Sequence, residues 1–285
     1  MSALGIIAGG GELPIAIADC ASEAGRSVFV AALQGIADSE VERFSHGWVS
    51  VGETGKTLSL LHQHGCSDVL LAGKVARPKW SDLKLDGTAL LKLPKVIAAA
   101  SKGDDALLRS LVRILEEAGF RVVSAAEAAP GLLAQEGALG LRHPSKQDNA
   151  DIALGRQVVE ALGTYDVGQA AIVSAGLVLA VEAAEGTDAM MARIASLPQN
   201  LRGTAAKPKG VLVKARKPTQ DGRTDLPVVG IQTLRNAAAV ALAGIAIEAG
   251  NALVVNKKAV IQAANEAGMF LFGFAPETSR SALQR

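Results

Sequence analysis

Apolar residues in the first half of the chain fall into short runs that alternate with longer, more polar stretches. The runs that predict buried strands are residues 4–8, 27–33, 48–51, 67–72 and 120–124. Helices are predicted between them, and in residues 104–118 the apolar positions Leu107, Leu111 and Ile114 recur at helical spacing. This alternation predicts a Rossmann-like N-terminal α/β domain, in which a mostly parallel sheet is the middle of three layers.

The pattern changes at residues 129–144, where Gly and Pro residues interrupt it. Beyond that point two apolar runs, residues 170–174 and 177–182, are separated by only Ala175-Gly176. Because a parallel pair needs a long crossover, these runs predict an antiparallel hairpin and hence a C-terminal α/β domain with a mixed sheet. The predicted boundaries are a first domain at 1–130, a linker at 131–144, a second domain at 145–275 and a tail at 276–285.

The second half also contains several predicted helices. Ser145 precedes a helix over residues 146–163 and is a suitable N-cap. An Ala-rich segment, residues 232–248, has the composition of one buried helix. The remaining predicted elements are helices at 189–197 and 258–267 and strands at 210–213, 252–256 and 269–274.

Composition limits the function classes. With 49% hydrophobic but only 3% aromatic residues, the core must be aliphatic, and a net charge of +1 gives no general attraction to nucleic acid. The 2 cysteines form no Cys-x-x-Cys pair, so a reduced cytoplasmic compartment is the simplest inference. We expect no signal peptide and no membrane-spanning segment, because the chain has neither a basic n-region nor an uninterrupted apolar run of about 18 residues.

The first predicted strand ends in a glycine turn, Gly9–Gly11, and a helix follows with Pro14 in its first turn. A strand, a glycine turn and a helix in this order are typical of a phosphate-binding site. A dinucleotide fingerprint, however, needs glycine where Pro14 stands and an acid where the second strand ends in Gln34-Gly35. NAD binding is therefore disfavoured, and a ligand-facing turn and a plain tight turn both stay open.

A loop after the predicted strand 210–213 carries two carboxylates among several cations. These residues are Lys214, Arg216, Lys217, Asp221, Arg223 and Asp225. Mg²⁺ is usually held by one or two carboxylates together with water and phosphate oxygens, so the loop suits a metal and a phosphate. The alternative is a solvated loop of surface ion pairs. Thr187 and Asp188 follow another strand and have an alternative role as helix caps.

Cations also accompany apolar residues at 79–95, where Trp80, Leu83, Leu85, Leu90 and Leu91 lie among lysines. An ordinary exposed connection explains this segment. Contact with an anionic bilayer surface explains it equally well.

Five stretches resemble the LpxI family, the UDP-2,3-diacylglucosamine pyrophosphatases of lipid A biosynthesis. They are residues 4–14, 185–188, 217–230, 246–250 and 268–273, and the resemblance covers nearly the whole chain up to Phe274. It implies a Mg²⁺-dependent hydrolase that cuts the sugar nucleotide into UMP and the acylated sugar 1-phosphate, lipid X. The aspartate that is important in the family matches Asp225.

With that resemblance, we assign Asp225 and Asp221 to Mg²⁺ and catalysis. The predicted substrate-binding residues are Gly10, Gly11, Glu12, Lys74, Thr187, Asp188, Lys214, Lys217, Gln220 and Arg223. Two other functions stay open: a nucleotide-linked oxidoreductase or transferase that uses the Gly9–Gly11 turn, and a non-catalytic protein that binds a phosphate ligand.

The expected partners are a lipid-linked sugar nucleotide substrate and the cytoplasmic membrane surface. The expected location is the cytoplasm, with peripheral binding at the inner face of the inner membrane as the open alternative. We expect no nucleic-acid partner, and a homodimer stays open.

Overall fold

The computed structural model describes residues 2–75, 85–101, 104–217 and 226–276. Their contacts divide them into two compact units, one extending to Leu132 and one beginning at Leu133. Among the described residues no helix is both long and apolar enough to cross a membrane.

The first unit contains five strands and several helices. The strands are β1 (Ala3–Ala8), β2 (Val28–Leu33), β3 (Ser45–Val49), β4 (Cys66–Ala72) and β5 (Arg121–Val122). The helices are α1 (Leu13–Glu23), α2 (Thr54–Gln63), α3 (Gly87–Ala100), α4 (Asp104–Glu117) and α5 (Ala125–Ala128), with short 3₁₀ turns at Ser39–Arg43 and Pro130–Leu132. All strand pairs are parallel, in the order β3-β2-β1-β4-β5.

Helices cover both faces of this sheet, as the alternation of side chains along β2 shows. Val30 and Ala32 pack with residues of α1, whereas Phe29, Ala31 and Leu33 pack with residues of α2 and α4. Successive residues of a strand point to opposite faces, so a strand buried on both faces is apolar throughout. The predicted three-layer, mostly parallel α/β unit is confirmed.

Helix α3 was not predicted, because the sequence favoured an exposed connection or a bilayer-contacting surface there. Its start is fixed by Asp86, whose carboxylate accepts hydrogen bonds from the backbone N–H groups of Ala89 (2.8 Å) and Gly55 (2.6 Å). Pro94 lies inside the helix, and proline is a signal against a helix interior. The helix forms nevertheless because it packs against α2 and α4.

Charged side chains link the strands at the amino-terminal end of the first sheet. Asp68 of β4 accepts hydrogen bonds from the guanidinium groups of Arg121 (2.8 Å) and Arg26 (2.5 Å). These contacts, of which the hydrogen bond from Arg121 has the largest effect, hold the pKa of the Asp68 carboxyl below its usual value. The carboxylate therefore ties β4 to β5 and to the residue that leads into β2.

The second unit has a six-stranded mixed sheet and a separate two-stranded one. The strands are β6 (Gly137–Ala138), β7 (Ala170–Ser174), β8 (Leu177–Val181), β9 (Val211–Lys214), β10 (Val228–Val229), β11 (Gly244–Glu248), β12 (Leu253–Val254) and β13 (Phe270–Phe274). The larger sheet has the order β6-β13-β11-β9-β7-β8, and β10 pairs with β12. Strands β9, β11 and β13 are parallel, while β7 is antiparallel to both neighbours, so the predicted mixed sheet and its hairpin are confirmed.

Helix α6 (Lys146–Gly163) covers one face of the larger sheet, and α7 (Gly186–Ile194), α8 (Ile231–Ala239) and α9 (Lys257–Glu266) cover the other. The predicted bounds of α6 agree with the structure. Ser145 and Asp148 form a reciprocal capping box, in which each side chain accepts a hydrogen bond from the other residue's backbone N–H.

The single helix predicted at 232–248 is wrong. Helix α8 ends at Ala239, Ala241 has a left-handed φ of 57°, and residues 244–248 form β11 in the middle of the sheet. A strand buried on both faces lacks polar alternation, so its Ala and Ile residues look like a buried helix. Gly244 is needed because the ring of Phe270 occupies the place of a Cβ atom there.

Residues 131–144, the predicted linker, include β6. This strand pairs antiparallel with β13, Ala138 opposite Phe272 and Gly137 opposite Gly273. The segment therefore contributes an edge strand to the second sheet.

Candidate functional site

A buried lysine lies where β9 ends. Lys214 is the last residue of the strand, and only 5% of it is exposed. It lies on the same face as Leu212, whose side chain packs in the core formed with α7, α8 and α9. Its ammonium donates hydrogen bonds to Thr187 Oγ1 and to the Val228 carbonyl, both at 3.1 Å. A buried ammonium is expensive without such acceptors, so these contacts hold Lys214 in a defined place.

Thr187 connects this ammonium to a buried carboxylate. The Thr187 hydroxyl donates to Glu182 Oε1 at 2.6 Å, and Glu182 Oε2 accepts a hydrogen bond from the Gln169 backbone N–H at 3.1 Å. Glu182 is only 8% exposed. Ammonium, hydroxyl and carboxylate therefore form one continuous chain of hydrogen bonds.

Strand directions explain why these residues meet. Because β7 is antiparallel to both β8 and β9, strands β8 and β9 run in the same direction. Their carboxyl ends therefore lie at one edge of the sheet. Glu182 follows β8 and Lys214 ends β9, while Gln169 precedes β7 at the same edge. Ligands of open α/β sheets generally bind at such an edge.

The capping alternative for Thr187 and Asp188 does not fit the geometry. Within the described residues, α7 begins after Glu185 without a side-chain capping hydrogen bond. Thr187 instead belongs to the chain to Glu182, and Asp188 Oδ1 accepts a hydrogen bond from the Asn236 amide of α8 at 2.8 Å.

The backbone that leaves β9 is fixed from two sides. The Ala215 N–H donates to the Gln169 carbonyl (3.2 Å), and the Arg216 N–H donates to the carboxylate of Glu248 at the end of β11 (3.1 Å). The ammonium of Lys217 forms a 2.6 Å ion pair with Asp166. The residues before 218 are therefore anchored to the sheet edge.

Four predicted site residues, Gln220, Asp221, Arg223 and Asp225, lie outside the described residues. Within the part of the chain that the structure describes, no group of three or more His, Cys, Asp or Glu side chains is placed to hold a metal ion. The described centre of the site is a buried ammonium, which suits a phosphate rather than a cation. Magnesium and its two aspartate ligands stay predictions.

The glycine turn of the first unit lies between β1 and β4, where the strand order reverses. Gly10 and Lys74 exchange backbone hydrogen bonds of 2.9 and 2.8 Å, and the Gly11 N–H donates to the Asp38 carboxylate at 2.9 Å. Gly73 has a φ of 93°, and a Cβ atom on it would lie 2.8 Å from the Gly10 carbonyl oxygen. The turn is thus a tightly packed one. A role of Gly10, Gly11, exposed Glu12 and Lys74 in substrate binding stays a prediction.

Family models match each half of the chain. The LpxI N-terminal domain matches residues 3–132, and the LpxI C-terminal domain matches residues 135–272. The chain belongs to the LpxI family. The resemblance of the five sequence stretches to that family is therefore confirmed.

A curated LpxI relative extends the match over almost the full length. The protein named UDP-2,3-diacylglucosamine pyrophosphatase LpxI from Caulobacter vibrioides (strain ATCC 19089 / CIP 103742 / CB 15) is 45% identical over 277 residues, which are 97% of this chain and 99% of the relative. Among solved structures, a UDP-glucose-4-epimerase from Stenotrophomonas maltophila with bound NAD and formylated UDP-arabinopyranose is 17% identical, covering 42% of this chain and 35% of that chain with a TM-score of 0.27. This likeness is too low to bear on the fold or function of an LpxI chain.

Sequence reasoning about this LpxI chain missed Glu182, Asp166 and Asp38. Glu182 carries a weak signal, because it is the first charged residue after the apolar strand β8 and precedes Thr187 by five positions. Asp166 has a left-handed φ of 57°, and Asp38 lies five residues beyond the end of β2, too far to match a dinucleotide fingerprint.

Proposed function

We propose that the chain hydrolyses the diphosphate of UDP-2,3-diacylglucosamine to UMP and lipid X, with Mg²⁺, in lipid A biosynthesis. Its LpxI membership and its 45% identity to a protein of that name support a hydrolase of this class. The structural observation that carries the proposal is Lys214, an ammonium buried at the carboxyl edge of the second sheet.

The reaction needs charge stabilisation more than covalent chemistry by the protein. Water adds to one phosphorus, the bridging oxygen leaves with the other phosphate, and negative charge develops on the phosphate oxygens. Lys214 would stabilise that charge, with Lys217, Arg223 and Gln220 as further phosphate ligands. Asp221 and Asp225 would hold Mg²⁺, which when bound neutralises phosphate charge and acts as a Lewis acid.

The other predicted ligands have supporting roles in this proposal. Asp188, on the first turn of α7, would orient the sugar or the phosphate ligands from its contact with α8. From the first unit, exposed Glu12 and Lys74 would supply charged groups, while Gly10 and Gly11, whose N–H groups bond within the protein, would shape the turn that carries them.

The deciding experiment is turnover of purified protein with UDP-2,3-diacylglucosamine, followed by identification of both products. We expect UMP and the diacylated sugar 1-phosphate in equal amounts, and loss of turnover with EDTA that is restored by Mg²⁺. Release of UDP instead of UMP would contradict the proposed bond cleavage.

Ligand binding distinguishes the proposed hydrolase from the two other functions that the sequence leaves open. A nucleotide-linked oxidoreductase or transferase would gain thermal stability from NAD or ATP, whereas the proposed hydrolase gains it from UDP-sugars. A non-catalytic protein would be stabilised by the UDP-sugar and leave it intact. The Asp38 carboxylate on the Gly11 N–H occupies one donor that a dinucleotide phosphate would need, which favours the hydrolase.

We further propose that the protein meets its lipid substrate at the inner face of the cytoplasmic membrane. Helix α3 presents exposed apolar side chains, with Leu91 84% and Leu90 57% exposed. Residues 74–102 contain seven basic and two acidic residues, which favours an anionic lipid surface. Leu85 is half-buried, while Trp80 and Leu83 lie outside the described residues.

Vesicle binding tests this contact. Replacing Leu90 and Leu91 together by Ser should weaken partition onto anionic vesicles about a hundredfold or more, because each buried leucine contributes roughly 1.5–3 kcal/mol and about 1.4 kcal/mol corresponds to tenfold. Replacing exposed Leu141, which lies in the second unit, by Ser is the matched control. Unchanged partition of the double variant would place membrane contact elsewhere.

A homodimer is also proposed, through strand β8. This strand is at the edge of its sheet, exposes Leu177 and Val178, and belongs to a run without charge from Gly168 to Val181. Edge strands usually carry charges or proline that prevent pairing. Light scattering of wild type and of Val178→Lys should give a dimer and a monomer, respectively.

A further inference from the structure

The carboxylate of Glu182 has no role in the function proposed so far, although it is buried and hydrogen-bonded to a proposed substrate ligand. It accepts a hydrogen bond from the Thr187 hydroxyl at 2.6 Å, and the Thr187 oxygen accepts one from the Lys214 ammonium at 3.1 Å. We propose that Glu182 is a positioning residue, which acts through Thr187 to hold the Lys214 ammonium in place for the diphosphate. This inference rests on the proposed function.

The argument depends on the single proton of the threonine hydroxyl. A carboxylate can only accept, so it fixes that proton on the side of Glu182. The hydroxyl lone pairs then face the ammonium, which can only donate. Hydrogen bonds to ionised groups are shorter and stronger than neutral ones, and the 2.6 Å distance fits this class. The charge of Glu182 therefore determines what Thr187 offers to Lys214.

An amide at position 182 would reverse this arrangement with almost no change in volume. Glu182 Oε2 accepts the Gln169 backbone N–H, so the carbonyl oxygen of a glutamine would keep that place. Its NH₂ group would then face Thr187 and donate to the hydroxyl. The hydroxyl proton would have to turn away, in part towards the ammonium, and Lys214 would lose the Thr187 oxygen as a fixed acceptor while keeping the Val228 carbonyl.

A purely structural role for Glu182 predicts a different outcome. Its bond to the Gln169 N–H helps to hold the start of β7, so removing it could lower stability without any specific effect on Lys214. Thr187 separates the two roles, because its hydroxyl contacts Glu182 and Lys214 but is not part of the bond to Gln169. Thr187→Val removes the hydroxyl at nearly constant volume, and Thr187→Ser keeps it.

The experiment is steady-state hydrolysis of UDP-2,3-diacylglucosamine by wild type, Glu182→Gln, Thr187→Val and Thr187→Ser. Glu182→Gln and Thr187→Val should each lower kcat by about ten- to a hundredfold with a much smaller change in KM, since misplaced charged groups cost this much in comparable sites. Thr187→Ser should stay within about threefold of wild type. Glu266→Gln, an exposed carboxylate on α9, is the control and should leave kcat unchanged.

Combining substitutions tests whether the three groups act as a unit. In a Lys214→Met background, Glu182→Gln should lower the residual kcat by less than about twofold, because its effect is transmitted through the lysine. Fully additive effects, or a Thr187→Ser variant as impaired as Thr187→Val, overturn the positioning role. Wild type that does not hydrolyse the substrate overturns the proposed function and this inference together. Wild-type turnover with an unimpaired Glu182→Gln variant overturns the inference alone.

Discussion

The carboxyl ends of the two sheets hold polar groups of different kinds. At the end of the first sheet, backbone groups of the glycine turn take part in each bond: Gly10 and Lys74 bond through their backbones, and the Gly11 N–H donates to the Asp38 carboxylate. At the end of the second sheet they are charged side chains, with the Lys214 ammonium linked through Thr187 to Glu182. In the first unit the buried charge, Asp68 with its arginines, lies at the opposite, amino-terminal end.

This difference indicates that the two sheet edges have different roles. Backbone groups packed by glycines form a surface of fixed shape, but their hydrogen-bonding capacity is largely used within the protein. A buried ammonium carries a full charge in a region of low dielectric, where it interacts strongly with a developing negative charge. We therefore expect substitutions at the second edge to reduce catalysis, and substitutions at the first edge to reduce stability.

The largest effect is expected for Asp225→Ala. If this aspartate anchors Mg²⁺, its loss removes several kcal/mol of transition-state stabilisation, which corresponds to at least about a thousandfold loss in kcat. The melting temperature should stay close to that of wild type. Asp166→Ala is a useful comparison, because it removes a carboxylate that holds Lys217 but is not proposed to hold the metal. A folded Asp225→Ala variant with near-wild-type kcat would contradict the assignment.

Lys214→Met should lower kcat by about a hundredfold, the amount typical for removal of one group that stabilises developing negative charge. Methionine fills a similar volume, but it leaves the buried Glu182 carboxylate without the ammonium, so stability should fall as well. Product analysis and thermal melting measure the two effects. Lys209→Met, at a position before β9 and outside the site, is the matched control. A loss of stability without loss of kcat would place Lys214 among structural residues and remove the contrast between the two edges.

Most of the fold could be predicted because its local signals agree with its tertiary structure. Helix α6 has a capping box at its start and apolar positions at helical spacing, so its bounds at 146–163 agree with the structure. The hairpin of β7 and β8 has only Ala175-Gly176 between its strands. Strand β11 was missed because a strand buried on both faces has no period, and α3 was missed because its mixture of lysines and leucines also fits an exposed connection or a bilayer-contacting surface.

The site was predictable only in part. Lys214 and Thr187 were identified as candidates, but they are 27 residues apart and no local pattern predicts that they bond to each other. Glu182 was missed for the same reason, since its role comes from strands β7, β8 and β9 ending at one edge. Asp225 was assigned through resemblance, because a carboxylate in a charged loop is by itself compatible with a surface ion pair.

At the first edge we expect a stability effect from Gly73→Ala. Gly73 has a φ of 93°, and an added Cβ atom would meet the Gly10 carbonyl oxygen and Gly9 at 2.8 Å. Gly119 is a matched control, because its φ is 92° and nothing lies within 4 Å of its Cβ position. Gly119→Ala should cost about 1–2 kcal/mol from the left-handed conformation, and Gly73→Ala about 1–3 kcal/mol more from the clash.

Urea unfolding followed by tryptophan fluorescence measures this difference, because Trp48 and Trp80, the 2 tryptophans, both belong to the first half of the chain. Equal costs for the two glycines would show that the contact between the two loops is loose. In that case the turn would be free to adapt to a ligand, and the contrast with the second edge would weaken.

The smallest effect concerns charge at the amino-terminal end of the first sheet. Asp68→Asn should destabilise the first unit by about 2 kcal/mol at neutral pH, less than the roughly 3–5 kcal/mol of a fully buried pair because Arg121 is largely exposed. Hydrogen bonds from Arg121 and Arg26 lower the pKa of Asp68 in the folded protein. Its stabilisation is therefore complete above the pKa of an unfolded aspartate, about 4, and is lost as the pH falls through the lower folded pKa. The unfolding free energies of wild type and Asp68→Asn should begin to converge below about pH 4 and approach each other as the pH falls further, while kcat at neutral pH stays the same. A constant difference down to pH 2 would mean that Asp68 contributes through packing and not through charge.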